Sequence, residues 1–157
     1  MKLKKRTKII LLIGSLVAIA AVSVALFMFF KPHRDVQSTK TDYKITAEAL
    51  VNEYLEDAEA ANNKYLDEGG ESKVFEVTGQ IQSITEDFNN QKVILLKSKD
   101  ALAGVRCTFT EATNASALQT QVGQTVTIKG VIRAGASYDE DLELYENVIL
   151  EKADIIK

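Results

Sequence analysis

The chain has 157 residues, enough for one compact domain and an accessory segment. From Asp35 onward it contains 12 lysine and arginine residues against 22 aspartate and glutamate residues, a net charge of −10. Because binding to a phosphate backbone depends on clustered basic side chains, this balance argues against a nucleic-acid partner for that part of the chain.

Residues 9–30, IILLIGSLVAIAAVSVALFMFF, contain no charged residue, no proline and no amide. A helix of roughly 20 apolar residues spans a ~30 Å hydrocarbon core, so this stretch predicts a transmembrane helix. Basic residues are more numerous before it than after it, which predicts a cytoplasmic tail at residues 1–8 and export of the rest. The preceding basic residues are Lys2, Lys4, Lys5, Arg6 and Lys8, and the following ones are Lys31 and Arg34.

A cleaved signal peptide is the alternative interpretation of this segment. Such peptides have an apolar region of ~7–15 residues that ends in small residues at the cleavage site. Here the apolar run is longer and ends in FMFF, residues 27–30, which favours an uncleaved signal-anchor. The sequence therefore predicts a single-pass protein of the cytoplasmic membrane, with its N-terminus inside and its C-terminal domain extracytoplasmic.

Residues 31–45 are polar and aperiodic and include the only proline and the only histidine, which predicts a juxtamembrane linker. Thr46 is a suitable N-cap for a helix that ends before Gly69-Gly70. Apolar residues at spacings of three and four predict that this amphipathic helix packs against the following domain. A coiled coil is less favoured, because the stripe spans fewer than three heptads. The stripe consists of Ala47, Val51, Tyr54, Ala58, Ala61 and Tyr65.

Five strands are predicted after the helix, with a short helix or loop at Ala112–Val122 between the third and the fourth. Gly79 and Gly130 interrupt two of the strands and predict bulges or sharp bends. This order is typical of the OB-fold, a five-stranded Greek-key barrel, here at residues 73–150 of an exported domain at residues 46–157. The predicted fold class is thus mainly β with α. The predicted strands are Lys73–Ile84, Lys92–Lys97, Val105–Glu111, Thr125–Ala134 and Leu142–Ile149.

Catalytic and metal-binding patterns are not found. Alternation in VRCTFT places Cys107, the only cysteine, on the same face as Val105 and Phe109, which favours a buried thiol over a reactive or bridging one. With His33 in the linker, no nucleophile–base pair and no zinc ligand set is indicated. The acidic run at residues 139–143 lacks the ligand spacing of a calcium loop. We therefore predict a protein that is not an enzyme and needs no cofactor.

A possible ligand face lies on the second and third strands, where OB-folds commonly bind their ligands. Bases of single-stranded nucleic acid stack on aromatic side chains in a positive groove, whereas the residues predicted to face outward include no aromatic and one cation. This face favours a protein or an apolar small ligand, unless the N-terminal helix covers it. The predicted outward residues are Ile94, Leu96, Arg106, Thr108 and Thr110.

Five segments, LVNEYLEDAEAANNKYLDE, VFEVTGQIQSI, VRCTF, VGQTVTIKGVI and LELYENVIL, resemble the bacterial tRNA_anti-like OB-fold family. The resemblance extends from about Ala47 to Leu150 and implies a small exported or membrane-anchored protein. Members often have a second cysteine about where Asn147 stands here, so a disulfide at that position in relatives would be absent from this chain. The family name implies kinship with anticodon-binding OB domains.

Together these features predict a membrane-anchored, extracytoplasmic OB-fold binding module whose ligand is a protein or an envelope component. The alternative is a domain that binds single-stranded nucleic acid in the manner of tRNA anticodon-binding modules. The sequence leaves the oligomeric state undetermined.

Overall fold

The computed structural model describes residues 5–29 and 34–156, with the side chains of residues 5–12 outside the described part. The chain divides after Arg34 into two units. The first contains helix α1 (Lys5–Phe29), whose large apolar side chains between Ile13 and Phe29 are exposed. Within the described residues, none of the helices combines the length and the hydropathy that crossing a bilayer requires. The predicted transmembrane segment ends at residue 30, which lies outside the described residues, as do residues 1–4 of the predicted tail and residues 31–33 of the predicted linker.

The second unit contains eight strands and three helices among its described residues. In chain order these are β1 (Tyr43–Thr46), α2 (Ala47–Glu56), α3 (Ala58–Tyr65), β2 (Val74–Glu86), β3 (Lys92–Leu96), β4 (Val105–Phe109), α4 (Asn114–Leu118), β5 (Thr125–Ala134), β6 (Ser137–Asp139), β7 (Leu144–Glu146) and β8 (Val148–Ile155).

Five of these strands form a closed barrel. They are hydrogen-bonded in the order β2-β3-β4-β8-β5, and β5 pairs back onto β2. Strands β4 and β8 run parallel, whereas the other barrel pairs are antiparallel. The predicted five-stranded barrel is confirmed, and this strand order is that of an OB-fold.

Strand β2 is long enough to serve two partners. Its first half pairs with β5 and its second half with β3. The predicted bulge at Gly130 is confirmed by a register shift between Lys129 and Val131, while the shift in β2 lies beyond Gly79, between Ile81 and Ser83. Gly79 instead allows close approach, since a Cβ there would lie only 3.0 Å from the Cβ of Ala47.

The predicted amphipathic helix consists of two helices, α2 and α3. Thr46 caps α2 as predicted, because its Oγ1 accepts a hydrogen bond from the Ala49 N–H at 3.2 Å. Asp57 interrupts the helix with extended backbone and caps α3, with Oδ1 accepting from the Ala60 N–H at 2.9 Å. The prediction that the apolar stripe packs on the barrel is confirmed, except that Ala58 is exposed.

The fifth barrel strand lies later in the chain than predicted. It runs from Val148 to Ile155, whereas most of the predicted strand Leu142–Ile149 belongs to a separate hairpin formed by β6 and β7. Leu142 and Leu144 are exposed rather than part of the core. The core positions come from β8, where Leu150 is the register partner of Cys107.

The segment before α2, Asp35–Thr46, lies against the barrel, and we call it the docked segment. Val36 is buried in a small apolar cluster, and β1 adds in parallel to β2. The buried ammonium of Lys129 donates hydrogen bonds to the carbonyl oxygens of Gln37 at 2.9 Å and Thr39 at 2.6 Å. Part of the predicted linker, residues 31–45, therefore contacts the barrel.

Candidate ligand-binding surfaces

The predicted ligand face is only partly on the barrel surface. Ile94 and Leu96 are fully buried, so their predicted outward orientation is wrong. Arg106 is exposed, and Thr108 and Thr110 are half-buried, with Thr110 just past the end of β4. The reason is cross-strand register, because Ile94 and Leu96 pair with core positions of β4, Cys107 and Val105.

The outer side of these strands, which we call the barrel face, is built from two cross-strand rows. Residues directly opposite each other in an antiparallel pair point the same way, and residues two apart in a strand share a face. Both rows therefore lie on the same side of the sheet. They present hydroxyl groups, one guanidinium and the half-buried side chain of Leu95, whereas Val93 is buried at 4% exposure. The first row is Thr85, Val93 and Thr108, and the second is Ser83, Leu95 and Arg106.

Cys107 has no solvent exposure, so the prediction of a buried cysteine is confirmed. Burial raises the pKa of its thiol, which disfavours the nucleophilic thiolate. The Asn147 side chain accepts a hydrogen bond from the Gly104 N–H at 2.7 Å. Within the described residues, no group of three or more His, Cys, Asp or Glu side chains is placed to hold a metal ion.

A second surface, which the sequence reasoning missed, is a cleft between the α2–α3 helices and the β6–β7 hairpin. Its volume is about 490 Å³, and we call it the tyrosine cleft. One wall comes from α2 and α3, the other from the hairpin, and the β3–β4 loop contributes a leucine. The lining residues are Tyr54, Leu55, Ala58, Leu102, Ala136, Ser137, Tyr138 and Tyr145.

Three tyrosines give the cleft its aromatic character. The rings of Tyr138 and Tyr145 pack across the hairpin with centroids 4.8 Å apart. Tyr54 is 2% exposed, and its hydroxyl has no hydrogen-bond partner among the described residues. Desolvation by burial raises the pKa of Tyr54 to about 12. Its ring lies directly on the backbone of Gly135, where a Cβ would be 2.0 Å from Cε1.

Both walls of the tyrosine cleft belong to acidic stretches of chain. Among the described residues, the aspartate and glutamate side chains of these stretches form no ion pair with lysine or arginine. Tyr138 and Tyr145, the two exposed tyrosines of the acidic hairpin, are the sequence signal that could have located the cleft. The acidic residues flank the cleft in the chain and are not among its lining residues: Glu56, Asp57 and Glu59 on the helical side and Asp139, Glu140, Asp141, Glu143 and Glu146 on the hairpin side.

Comparisons with known proteins agree with this architecture. The model of the tRNA_anti-like family matches residues 1–141. A crystal structure of a candidate nucleic acid-binding lipoprotein from Klebsiella pneumoniae is similar, with a TM-score of 0.53 and 16% sequence identity over 80% of this chain and 99% of that chain. At this identity the likeness shows the fold alone. A comparison with curated proteins finds no match.

Proposed function

The chain belongs to the tRNA_anti-like family, and we propose that it is a membrane-tethered OB-fold module that binds a protein or another envelope component outside the cytoplasm without catalysing a reaction. The observation that carries this proposal is the composition of the barrel face. OB-folds that bind single strands stack bases on aromatic side chains within a positive groove. The barrel face instead offers hydroxyl groups, Arg106 and the half-buried Leu95, on a domain of net charge −10.

The proposed tether is the uncharged apolar segment at residues 9–30. Its support is the sequence itself, since the run is long enough for a bilayer and is preceded by more basic residues than follow it. The similar Klebsiella protein is described as a lipoprotein, which is also an envelope protein. The only cysteine of the present sequence is Cys107 in the barrel core, so we assign anchoring to the apolar segment.

The proposal that the protein is not an enzyme draws on the ionisable groups whose pKa values are shifted. Perturbed pKa values often mark active sites, but structural ion pairs also cause them. Hydrogen bonds from Lys64 and then Tyr65 lower the pKa of Glu53, and hydrogen bonds from Lys44 and then Thr41 lower that of Glu76. Each of these two shifts accompanies a contact that holds the fold together. Tyr54, which does line the tyrosine cleft, has its pKa raised chiefly by desolvation, as expected for a buried hydroxyl.

Binding of single-stranded nucleic acid is the second candidate function. It is favoured by the description of the similar Klebsiella protein as a candidate nucleic acid-binding lipoprotein and by the kinship that the family name implies. Arg106, exposed on the barrel face beside Leu95, is the side chain that would contact a phosphate there.

The two candidates are separated by binding measurements on the full chain in nanodiscs. Labelled single-stranded oligonucleotides at low salt should show no saturable binding. A photo-crosslinking amino acid at Leu95, introduced in the native membrane, should capture a defined protein, while the same group at exposed Gln119 on the C-terminal side of α4 serves as the control. Saturable, salt-sensitive oligonucleotide binding that Arg106→Ala abolishes would establish the alternative function.

A further inference from the structure

Large apolar side chains are clustered and exposed around the tyrosine cleft. Leu102 is 58% exposed, Tyr138 49% and Tyr145 38%, although all three line one concave surface. A contiguous exposed apolar patch on a folded domain often marks a site where another molecule binds, whereas single scattered apolar side chains do not. The cleft volume of about 490 Å³ is large enough to admit side chains of a ligand.

We propose that the tyrosine cleft binds a segment of a partner protein that carries lysine or arginine beside apolar side chains. This inference rests on the proposed protein-binding function and adds the location of the site and the chemistry of the partner. The apolar lining takes the uncharged side chains of the segment, and the carboxylates that flank the lining residues in the chain attract its cations.

The charge around the cleft selects a cation. The hairpin that carries Tyr138 and Tyr145 also carries five carboxylates outside the cleft lining, and among the described residues none of them is in an ion pair. Asp139 and Glu146 accept hydrogen bonds within the hairpin, whereas Glu140, Asp141 and Glu143 are exposed. An ammonium or guanidinium group is also attracted to the face of a tyrosine ring. A basic side chain of a bound segment can therefore contact a tyrosine ring in the cleft while it lies in the negative field of the adjoining hairpin.

Other occupants fit the same surface less well. A phosphate backbone would be repelled by the carboxylates that flank the cleft. A second copy of this chain would bring another domain of net charge −10 against an already negative surface. An apolar segment without cations would leave the carboxylates unpaired, so a basic and apolar peptide is the complementary ligand.

The proposal is tested with the full chain in nanodiscs and a fluorescein-labelled 12-residue peptide in which lysine alternates with leucine. Empty nanodiscs correct for binding to lipid. Peptide binding should weaken by roughly tenfold in Tyr138→Ala and in Tyr145→Ala, as expected when an aromatic anchor is truncated. Phe88→Ala is the matched control, because Phe88 is a fully exposed aromatic residue that does not line the cleft.

A second variant, Glu140→Gln/Asp141→Asn/Glu143→Gln, changes only exposed side chains and keeps the test independent of folding. It should weaken binding of the lysine peptide and flatten its salt dependence. The corresponding glutamate–leucine peptide should not bind. Far-UV circular dichroism confirms that each variant has the same secondary structure as the parent protein.

The outcomes separate this inference from the proposed function. If both tyrosine variants bind the lysine peptide as the parent does, or if the parent does not bind it, the proposed site is wrong. A protein crosslinked from the barrel face would in that case still support the proposed function. Saturable binding of a single-stranded oligonucleotide that the tyrosine variants reduce would overturn both proposals.

Discussion

Gly135→Ala is expected to destabilise the barrel unit by forcing a methyl group into the ring of Tyr54. The added Cβ would lie 2.0 Å from Cε1 and 2.1 Å from Cδ1, so the ring would have to retreat by about 1.4 Å to reach an ordinary 3.4 Å contact. Tyr54 is buried and packs against Tyr65, with ring centroids 6.1 Å apart. Overpacking of a core costs ~1–3 kcal/mol, and we expect the upper end of that range here.

A double-mutant cycle tests whether the clash is the cause. Tyr54→Leu removes the ring atoms that the new methyl group meets, so Gly135→Ala should cost less than ~1 kcal/mol in that background. The free energy of unfolding is measured by urea titration of the full chain in detergent, followed by far-UV circular dichroism. A cost below ~0.5 kcal/mol in the parent chain, or equal costs in the two backgrounds, would refute the steric explanation.

Three further predictions concern polar contacts. Hydrogen bonds to Glu53 lower its pKa below the ordinary 4.5. Its contribution to stability is therefore complete above pH 4.5 and is lost as the pH falls through the folded-state pKa. Glu53→Gln should lose less stability on acidification than the parent protein, which urea titrations from pH 7 to pH 3 will show. Lys129→Met removes the ammonium that holds the docked segment and should lower the free energy of unfolding by ~1–3 kcal/mol. Trypsin should then cleave faster after the exposed Lys40. An unchanged cleavage rate would contradict this role of Lys129. Asp57→Ala should cost ~1 kcal/mol of unfolding free energy through loss of the α3 cap, and Asp57→Asn should retain most of it.

The sequence predicted the closed barrel because glycine positions, turn residues and alternating apolar residues agreed along most strands. It failed in the phase of β3, where Val93 to Leu96 are all apolar and alternation carries no information. The register with β4 decides that phase, since Ile94 pairs with Cys107. A long-range pairing of this kind cannot be obtained from local pattern, so two of the five residues of the predicted ligand face point into the core.

The hairpin was missed for a related reason. Leu142 and Leu144 alternate with acidic residues as a half-buried strand would, yet they are exposed on a short hairpin beside the barrel. In the docked segment, a single buried valine, Val36, gives no periodicity at all. The tyrosine cleft could not be predicted from local sequence either. Tyr54 and Tyr138 are far apart in the chain, and they line the same cleft only because the helices and the hairpin pack side by side.

The position of β8 in the chain affects when the barrel can form. This strand lies between β4 and β5 and is hydrogen-bonded to both, yet it follows every other strand in order of synthesis. At ~5–20 residues per second, synthesis from the end of β5 to the end of β8 takes about 1–4 seconds, during which β4 and β5 are complete and their facing edges unpaired. Such edges recruit strands from other chains. A ribosome that stalls before Val148 would accordingly release an aggregation-prone intermediate in place of a slightly shortened barrel.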